Sequence, residues 1–169
     1  MPRRRQILVI GHDQDECTSE QEKIAYETGT EIAKSGAVLI TGGLGGIMKA
    51  ATKGAHDAGG ITLGIIPQNT HSFANEFCDI VIPTGIGYSR DFLNSLTSDG
   101  VIIIGGGSGT LAEVCAAYMH KRPMVAIKNT GGIADQYADK FVDSRERVKI
   151  IGVSSPKEAV KTILEKITA

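Results

Sequence analysis

The stretch VIIIGGGSGTLAE, residues 101–113, decides the fold. It opens with Val101–Ile104, a run of β-branched residues typical of a strand buried on both faces of a parallel sheet. Four glycines follow within the next five residues, where the backbone must turn sharply. Thr110–Met119 then has the pattern of a helix. A strand, a glycine-rich turn and a helix in direct succession predict one unit of an open α/β sheet.

The same order recurs on both sides of this stretch. Further apolar runs predict strands at Ile7–Ile10, Val38–Ile40, Ile61–Ile66, Ile80–Ile82, Met124–Ile127 and Val148–Val153. Helical patterns predict helices from a capping box at Ser19–Glu22 to near Gly36, over Ile47–Ala58 and Ser89–Thr97, and from Ser155 onward. The alternation predicts a single domain, residues 1–169, with a Rossmann-like, doubly wound and mainly parallel α/β sheet of about seven strands.

Composition narrows the classes of partner. The chain has 18 basic and 19 acidic side chains and a formal net charge of −1. This balance gives no strong field for nucleic acid or an anionic membrane, so we expect neither as a partner. The histidines and cysteines lack metal-ligand spacing, and we expect no metal and no cofactor. Three cysteines without a CxxC pair indicate a reduced, cytoplasmic protein.

Another glycine-rich turn, Thr41–Gly46, follows the predicted second strand and opens a helix; in chain order it is the first glycine-rich turn, and residues 105–110 form the second. Ligands of such sheets bind at the carboxyl ends of the strands, and the first N–H groups of a helix can hold a phosphate. Two such turns at one sheet edge favour a phosphate-bearing ligand, although sharp turns alone also require glycine. The candidate phosphate-binding residues are Gly42, Gly43, Gly106, Gly107, Ser108, Gly109 and Thr110.

The sequence narrows the type of phosphate-bearing ligand. Gly107–Ala112 formally matches the GxGxxA dinucleotide fingerprint, but it follows about the fifth strand rather than the first. The next strand ends in Lys128-Asn129, where a dinucleotide site has an acid for the ribose. No GxxxxGK[ST] pattern occurs, which excludes a P-loop nucleotidase. A dinucleotide is therefore disfavoured.

Two charged side chains near these turns are candidates for chemistry. Glu113 lies one helical turn beyond the second glycine-rich turn, where a carboxylate could bind ribose hydroxyls or stabilise a cation-like sugar. Alternatively, Thr110 and Glu113 form a capping box. Arg90 could bind a phosphate or a hydroxyl, or could form a surface pair with Asp91 or Asp13. His12, at the end of the first strand, either lines the ligand cleft or has a loop role.

These motifs together resemble the LONELY GUY family of cytokinin riboside 5′-monophosphate phosphoribohydrolases. Gly105–Glu113 is similar to that family's PGGxGTxxE motif, Arg90 to its upstream arginine, and Thr41–Met48 to its earlier glycine-rich turn. Within this group the chain looks most like a short branch that includes molybdenum cofactor carrier proteins. It departs from the hydrolases at Gly105, where they have proline, and at Asp91, where they have lysine.

The resemblance implies a Rossmann-like fold, a homodimer, an AMP-type ligand, and Arg90 with Glu113 as the catalytic pair. Two functions follow from it. One is hydrolysis of the N-glycosidic bond of a nucleoside 5′-monophosphate to base and ribose 5-phosphate. The other is non-catalytic carriage of a phosphorylated pterin such as molybdenum cofactor. Independently, residues 111–119 are apolar nearly all round, which predicts that this helix lies at or near a homodimer interface.

Overall fold

The computed structural model describes residues 3–168, so positions 1, 2 and 169 of the predicted domain lie outside the described residues. Its strands are β1 (Gln6–Gly11), β2 (Val38–Thr41), β3 (Ile61–Ile66), β4 (Ile80–Pro83), β5 (Gly100–Ile104), β6 (Met124–Ile127) and β7 (Ile151–Val153). Its α-helices are α1 (Ser19–Lys34), α2 (Gly46–Asp57), α3 (Arg90–Thr97), α4 (Ser108–Met119), α5 (Gly132–Tyr137) and α6 (Pro156–Thr168). The strands form one sheet in the order β4-β3-β2-β1-β5-β6-β7, with every neighbouring pair parallel. The predicted Rossmann-like sheet is confirmed.

Strand side chains alternate between two apolar layers. Ile7 and Val9 of β1 pack in a cluster with side chains of α1, α2 and α6. Leu8 and Ile10 point to the other face, where they pack with side chains of α4 and α5. The central strands are buried because helices cover both faces, as the continuous β-branched runs predict.

Two predicted strands differ in the structure. β4 lies at the edge of the sheet, and its Ile80 and Ile82 side chains are 51% and 44% exposed, so the prediction of burial on both faces is wrong there. β7 begins at Ile151 rather than at Val148. The preceding residues pair with a loop instead of β6: Lys149 forms an antiparallel bridge with Phe141.

The N-terminus of α1 is capped one residue earlier than the sequence predicts. Thr18 is the N-cap, and its hydroxyl accepts a hydrogen bond from the Gln21 N–H at 3.2 Å. The Gln21 amide oxygen accepts from the Thr18 N–H at 3.1 Å, which completes the box. The box proposed for Ser19 and Glu22 is therefore wrong, because glutamine fills the same position as the expected glutamate.

The topology defines one crevice. β1 and β5 are neighbours, but the chain leaves β1 toward β2 and leaves β5 toward β6 on the opposite side. The carboxyl ends of these two strands, at Gly11 and Ile104, therefore lie beside a topological switch point, where open α/β sheets bind ligands. Within residues 3–168, no helix is both long and apolar enough to cross a bilayer.

Candidate functional site

A cavity of about 220 Å³ lies at this switch point. Three segments form most of its walls: the loop after β1, the start of α3 and the first turns of α4; Met48 of α2 adds to them. The side chains and backbone that line it belong to Gly11, His12, Asp13, Glu16, Met48, Tyr88, Arg90, Asp91, Gly107, Ser108, Gly109, Thr110 and Glu113. Most of the sequence-predicted site residues are thus brought together, including Gly107, Ser108, Gly109 and Thr110 of the second glycine-rich turn.

The first two glycines of this turn are bonded within the protein. The Gly105 N–H donates to the Thr130 hydroxyl at 2.9 Å, and the Gly106 N–H donates to Nδ1 of His12 at 3.1 Å. Both glycines have positive φ, at +60° and +103°, in the region that favours glycine. The predicted phosphate-binding residue Gly106 therefore has its N–H engaged by His12. His12 has both roles considered for it, because it also lines the cavity.

The N-terminus of α4 leaves donors free. α4 begins at Ser108, two residues before the predicted start, and its N-cap Gly107 makes no side-chain capping bond. The first helical hydrogen bond runs from the Leu111 N–H to the Gly107 carbonyl at 2.9 Å. The N–H groups of Ser108, Gly109 and Thr110 consequently have no acceptor in the part of the chain that the structure describes.

The glycines at this end of the turn keep the space before those donors open. A Cβ added at Gly107 would find its nearest neighbour, Oε2 of Glu16, 3.5 Å away. At Gly109 the nearest atom would be Oδ2 of Asp91, at 3.9 Å. The Thr110 hydroxyl donates to the Gly11 carbonyl at 3.1 Å and fixes the helix start against the end of β1.

Arg90 is the first residue of α3 and is only 6% exposed. Its Nε lies 3.4 Å from Oδ1 of Asp91, and the guanidinium donates no hydrogen bond to any residue between 3 and 168. The predicted alternative of a surface pair with Asp91 is wrong in its location, since both side chains are buried. A buried guanidinium with unused donors suits an anionic ligand.

Glu113 is buried where α3 packs on α4. Its Oε1 accepts a hydrogen bond from Nδ2 of Asn94 at 2.7 Å, and its main-chain carbonyl accepts from the Ser95 hydroxyl at 2.9 Å. Burial raises the pKa of the Glu113 carboxyl to about 8; the Asn94 hydrogen bond and Arg90 lower it, and Asp91 raises it. The capping alternative is wrong, because Thr110 and Glu113 both lie inside the helix and Glu113 bonds Asn94 instead.

Asp91 lies beside Arg90 on the same cavity wall and is 8% exposed. Burial raises the pKa of its carboxyl more than the neighbouring Arg90 lowers it. No N–H or O–H group of the described residues donates a hydrogen bond to it; its polar contact is with Nε of Arg90.

Gly42 and Gly43 do not line the cavity. A Cβ at Gly42 would lie 2.1 Å from Nη1 of Arg90, so this glycine makes room for the arginine. Gly43, with φ of +72°, packs against Gly64 and Ile66. The first glycine-rich turn thus reaches the site indirectly, through Arg90.

Sequence reasoning missed Asn94 and Tyr88. Asn94 lies four residues after Arg90, a spacing that puts both on one face of a helix, and this signal could have found it. Tyr88, which is 90% exposed at the mouth of the cavity, carries no such signal. The described residues contain no group of three or more His, Cys, Asp or Glu side chains able to hold a metal ion.

Comparison with known proteins gives one family match and several relatives. The model of the SLOG cluster4 family matches residues 4–160. An uncharacterised protein of Archaeoglobus fulgidus is 42% identical over 123 residues, 73% of this chain and 80% of that protein. The cytokinin riboside 5′-monophosphate phosphoribohydrolase of Mycobacterium tuberculosis is 32% identical over 123 residues, which cover 67% of this chain and 65% of that protein.

Two solved structures align over almost their whole length. The molybdenum cofactor binding protein of Rippkaea orientalis has a TM-score of 0.86 and 33% identity, over 99% of each chain. The molybdenum cofactor carrier protein of Chlamydomonas reinhardtii has a TM-score of 0.83 and 32% identity, over 99% of this chain and 100% of that one.

Proposed function

The chain belongs to the SLOG cluster4 family, within a LONELY GUY-like group that includes molybdenum cofactor carriers, and we propose that it is a nucleoside 5′-monophosphate phosphoribohydrolase. The resemblance predicted from the glycine-rich motifs is confirmed by this membership. The proposed reaction hydrolyses the N-glycosidic bond and releases a free base and ribose 5-phosphate. The named hydrolase among its relatives is matched over 65% of its length, and it supports this reaction.

One observation carries the proposal: a single cavity combines free helix N–H groups, an arginine with unused donors and a buried carboxyl. Three N–H groups at the start of a helix, with its positive dipole end, favour a phosphate. In our proposal Ser108, Gly109 and Thr110 hold the 5′-phosphate, and Gly107 leaves room for it. Arg90 binds an oxygen of the same ligand.

Glu113 is proposed as the acid. With its pKa raised to about 8, the carboxyl holds a proton at neutral pH. In the reaction the C1′–N bond breaks, its electron pair goes to the base, and the Glu113 proton goes to the same leaving group. The resulting carboxylate stabilises the cation-like ribose. Water then adds to C1′ and returns a proton to Glu113, which restores the acid.

The test is to incubate the protein with AMP, GMP, CMP and UMP and to assay ribose 5-phosphate. The proposal expects release from at least one of them, and strongly reduced release by the Glu113→Gln variant. Absence of release from all four would contradict hydrolysis.

A second candidate is a carrier that binds a phosphorylated pterin such as molybdenum cofactor without converting it. Two observations favour it: the solved binding and carrier proteins match over 99% of this chain, and Asp91 replaces the lysine of the hydrolase motif. The phosphate of such a ligand would use the same N–H groups. Recovery of the ligand unchanged after prolonged incubation, with tight binding, would favour the carrier over the hydrolase.

We also propose that the chain forms a homodimer through the outer face of α3. Leu93 and Leu96 on this face are 39% and 38% exposed, and Met119 at the end of the adjacent α4 is 45% exposed. Six of the 12 residues of α4 are already buried within the chain, so the proposed contact lies beside that helix rather than on it. Analytical ultracentrifugation should give a dimer for the wild type and a monomer for Leu93→Lys with Leu96→Lys.

Residues 1–169 are proposed to act as one ligand-binding unit in the cytoplasm. Its three cysteines are free, in keeping with a reducing compartment. Limited proteolysis without internal cleavage would support the single unit.

A further inference from the structure

Asp91 presents acceptors that a phosphate cannot use. Its side chain is 12% exposed and receives no hydrogen bond from the described residues, while Nε of Arg90 lies 3.4 Å from Oδ1. Oδ2 points toward the start of α4, since a Cβ at Gly109 would lie 3.9 Å from it. A fully ionised phosphate offers only acceptor oxygens, so it cannot satisfy an ionised carboxylate. The ligand portion beside Asp91 must therefore carry N–H or O–H donors.

A second cavity, of about 510 Å³, adjoins the first at this carboxylate. The two share Tyr88, Asp91, Ser108 and Gly109, and the second adds Ser89, Phe92 and Ala112. Tyr88 and Phe92 are 90% and 44% exposed, so their rings are available to a ligand. Aromatic side chains beside a polar group suit a planar heterocycle, which stacks on the rings and hydrogen-bonds at its edge.

We propose that Asp91 determines specificity by accepting two hydrogen bonds from a heterocycle with a ring N–H beside an exocyclic amino group. Guanine and pterins share this 2-amino-4-oxopyrimidine edge. Two carboxylate oxygens match two adjacent donors, in the way that a carboxylate takes paired N–H groups. Adenine, cytosine and uracil lack such a donor pair. The inference rests on the proposed function, because the phosphate in the first cavity sets the position of the ring.

Calorimetry with five nucleoside 5′-monophosphates tests whether the protein recognises the 2-amino-4-oxopyrimidine edge. Wild-type protein should bind GMP at least about 10-fold more tightly than IMP, which lacks the amino group, and more tightly than AMP. 2′-Deoxy-GMP should bind like GMP if Asp91 contacts the base, and more weakly if it contacts the ribose. XMP, which has a carbonyl in place of the amino group, should bind about 10- to 100-fold more weakly than GMP. Comparing the affinity of a phosphorylated pterin with that of GMP shows which of the two ligands carrying this edge the protein prefers.

The Asp91→Asn variant tests most directly whether Asp91 sets the ligand preference. An amide offers one acceptor and one donor, so it matches the ring N–H and carbonyl of XMP rather than the two donors of GMP. GMP affinity should fall about 10-fold or more and XMP affinity should rise, reversing the preference. A merely structural aspartate would weaken both ligands equally.

Glu16→Gln is the matched control. It makes the same change from carboxylate to amide on the wall of the first cavity, but the Glu16 side chain is 73% exposed. The preference for GMP over XMP should stay unchanged in it. Equal binding of GMP, IMP and XMP by the wild type would overturn the inference while leaving the proposed phosphate site intact. Lack of binding by every monophosphate would overturn the proposed function as well.

Discussion

The two glycine-rich turns look alike in sequence and differ in what surrounds their glycines. At Gly46, in the first turn, an added Cβ would lie 2.5 Å from the His12 carbonyl oxygen, and at Gly43 it would lie 2.6 Å from a methyl carbon of Ile66. At Gly107 and Gly109, in the second turn, the nearest atoms would be 3.5 Å and 3.9 Å away. Protein atoms pack against the glycines of the first turn, and also against Gly105 and Gly106 of the second, whereas Gly107 and Gly109 border open space. A glycine cluster alone therefore does not locate a ligand.

The helices that follow the turns also differ. Counting from the N-caps Gly45 and Gly107, Glu113 of α4 corresponds to Ala51 of α2. Ala51 is an apolar residue of the core, whereas Glu113 is a buried acid that borders the cavity. Chemistry is thus expected beside the second turn, and each prediction below challenges that contrast.

The largest expected effect is on turnover by Glu113→Gln. Loss of an acid that acts in the transition state should lower kcat by about two to three orders of magnitude while most nucleotide affinity remains. Arg90→Ala should lower both kcat and nucleotide affinity, because in the proposed complex the guanidinium also binds the ligand in the ground state. Steady-state release of ribose 5-phosphate, with calorimetry for affinity, measures the two quantities. Equal release of ribose 5-phosphate by wild type and Glu113→Gln would mean that Glu113, beside the second turn, does not take part in the reaction.

Gly107→Val should cost about 100-fold or more in nucleotide affinity, since the side chain would fill the space before the free N–H groups. The fold should survive, because only Glu16 lies near the added Cβ, at ordinary contact distance. Calorimetry measures the affinity, and circular dichroism checks the fold. The neighbouring Gly106→Ala supplies the contrast: with φ of +103° and a Cβ 2.5 Å from Thr110, it should lose stability. Unchanged affinity in Gly107→Val would place the ligand elsewhere.

Gly46→Ala should destabilise the fold by about 3 kcal/mol. Its φ of +54° disfavours a side chain, and the clashing neighbours are backbone atoms of His12 and Asp13, which cannot move cheaply. Gly109→Ala is the control, and its stability should change by less than about 1 kcal/mol. Urea unfolding compares the two. Similar losses of unfolding free energy in both variants would mean that the two turns do not differ in packing.

The buried acid also predicts a pH dependence of stability. Burial raises the pKa of Glu113 from 4.5 to about 8, so between these pH values the folded chain holds a proton that the unfolded chain has lost. Its contribution to stability is fully present below about pH 4.5 and falls by up to about 1.4 kcal/mol per pH unit until about pH 8. Urea unfolding from pH 5 to 8 should therefore show a steeper decline for the wild type than for Glu113→Gln. Parallel declines would mean that Glu113 ionises normally.

The smallest expected effect belongs to Gly42→Ala. Its Cβ would lie 2.1 Å from Nη1 of Arg90, the end of a flexible side chain that can shift. Anion affinity should therefore fall about 10-fold, with little loss of stability, because only a charged hydrogen bond to the ligand is lost. Inorganic phosphate binding, measured against thermal stability, gives both values. A large stability loss with normal phosphate binding would mean that Gly42 acts only in packing.

Much of the fold was predictable because buried parallel strands have continuous β-branched runs, as Val101–Ile104 does. Ile80 and Ile82 have the same pattern on an edge strand, and sequence carries no sign that helices leave that edge uncovered. Arg90, Glu113 and the second turn were correctly expected near one another. The hydrogen bond from Asn94 was not expected, because it joins α3 to α4 across 19 residues and depends on how the helices pack. The different environments of the two turns depend likewise on the loop at residues 12–14, whose backbone covers only Gly46.

Amide chemical-shift mapping with ribose 5-phosphate tests the central claim most directly, because it observes both turns in one titration. Our account predicts saturable shifts of the Ser108, Gly109 and Thr110 amide resonances, since their N–H groups have no acceptor in the described chain. The Ile47 amide resonance should not shift, because its N–H already donates to the His12 carbonyl at 3.0 Å. Shifts concentrated at Gly43–Met48, with residues 108–110 unmoved, would contradict the assignment of the phosphate to the second turn.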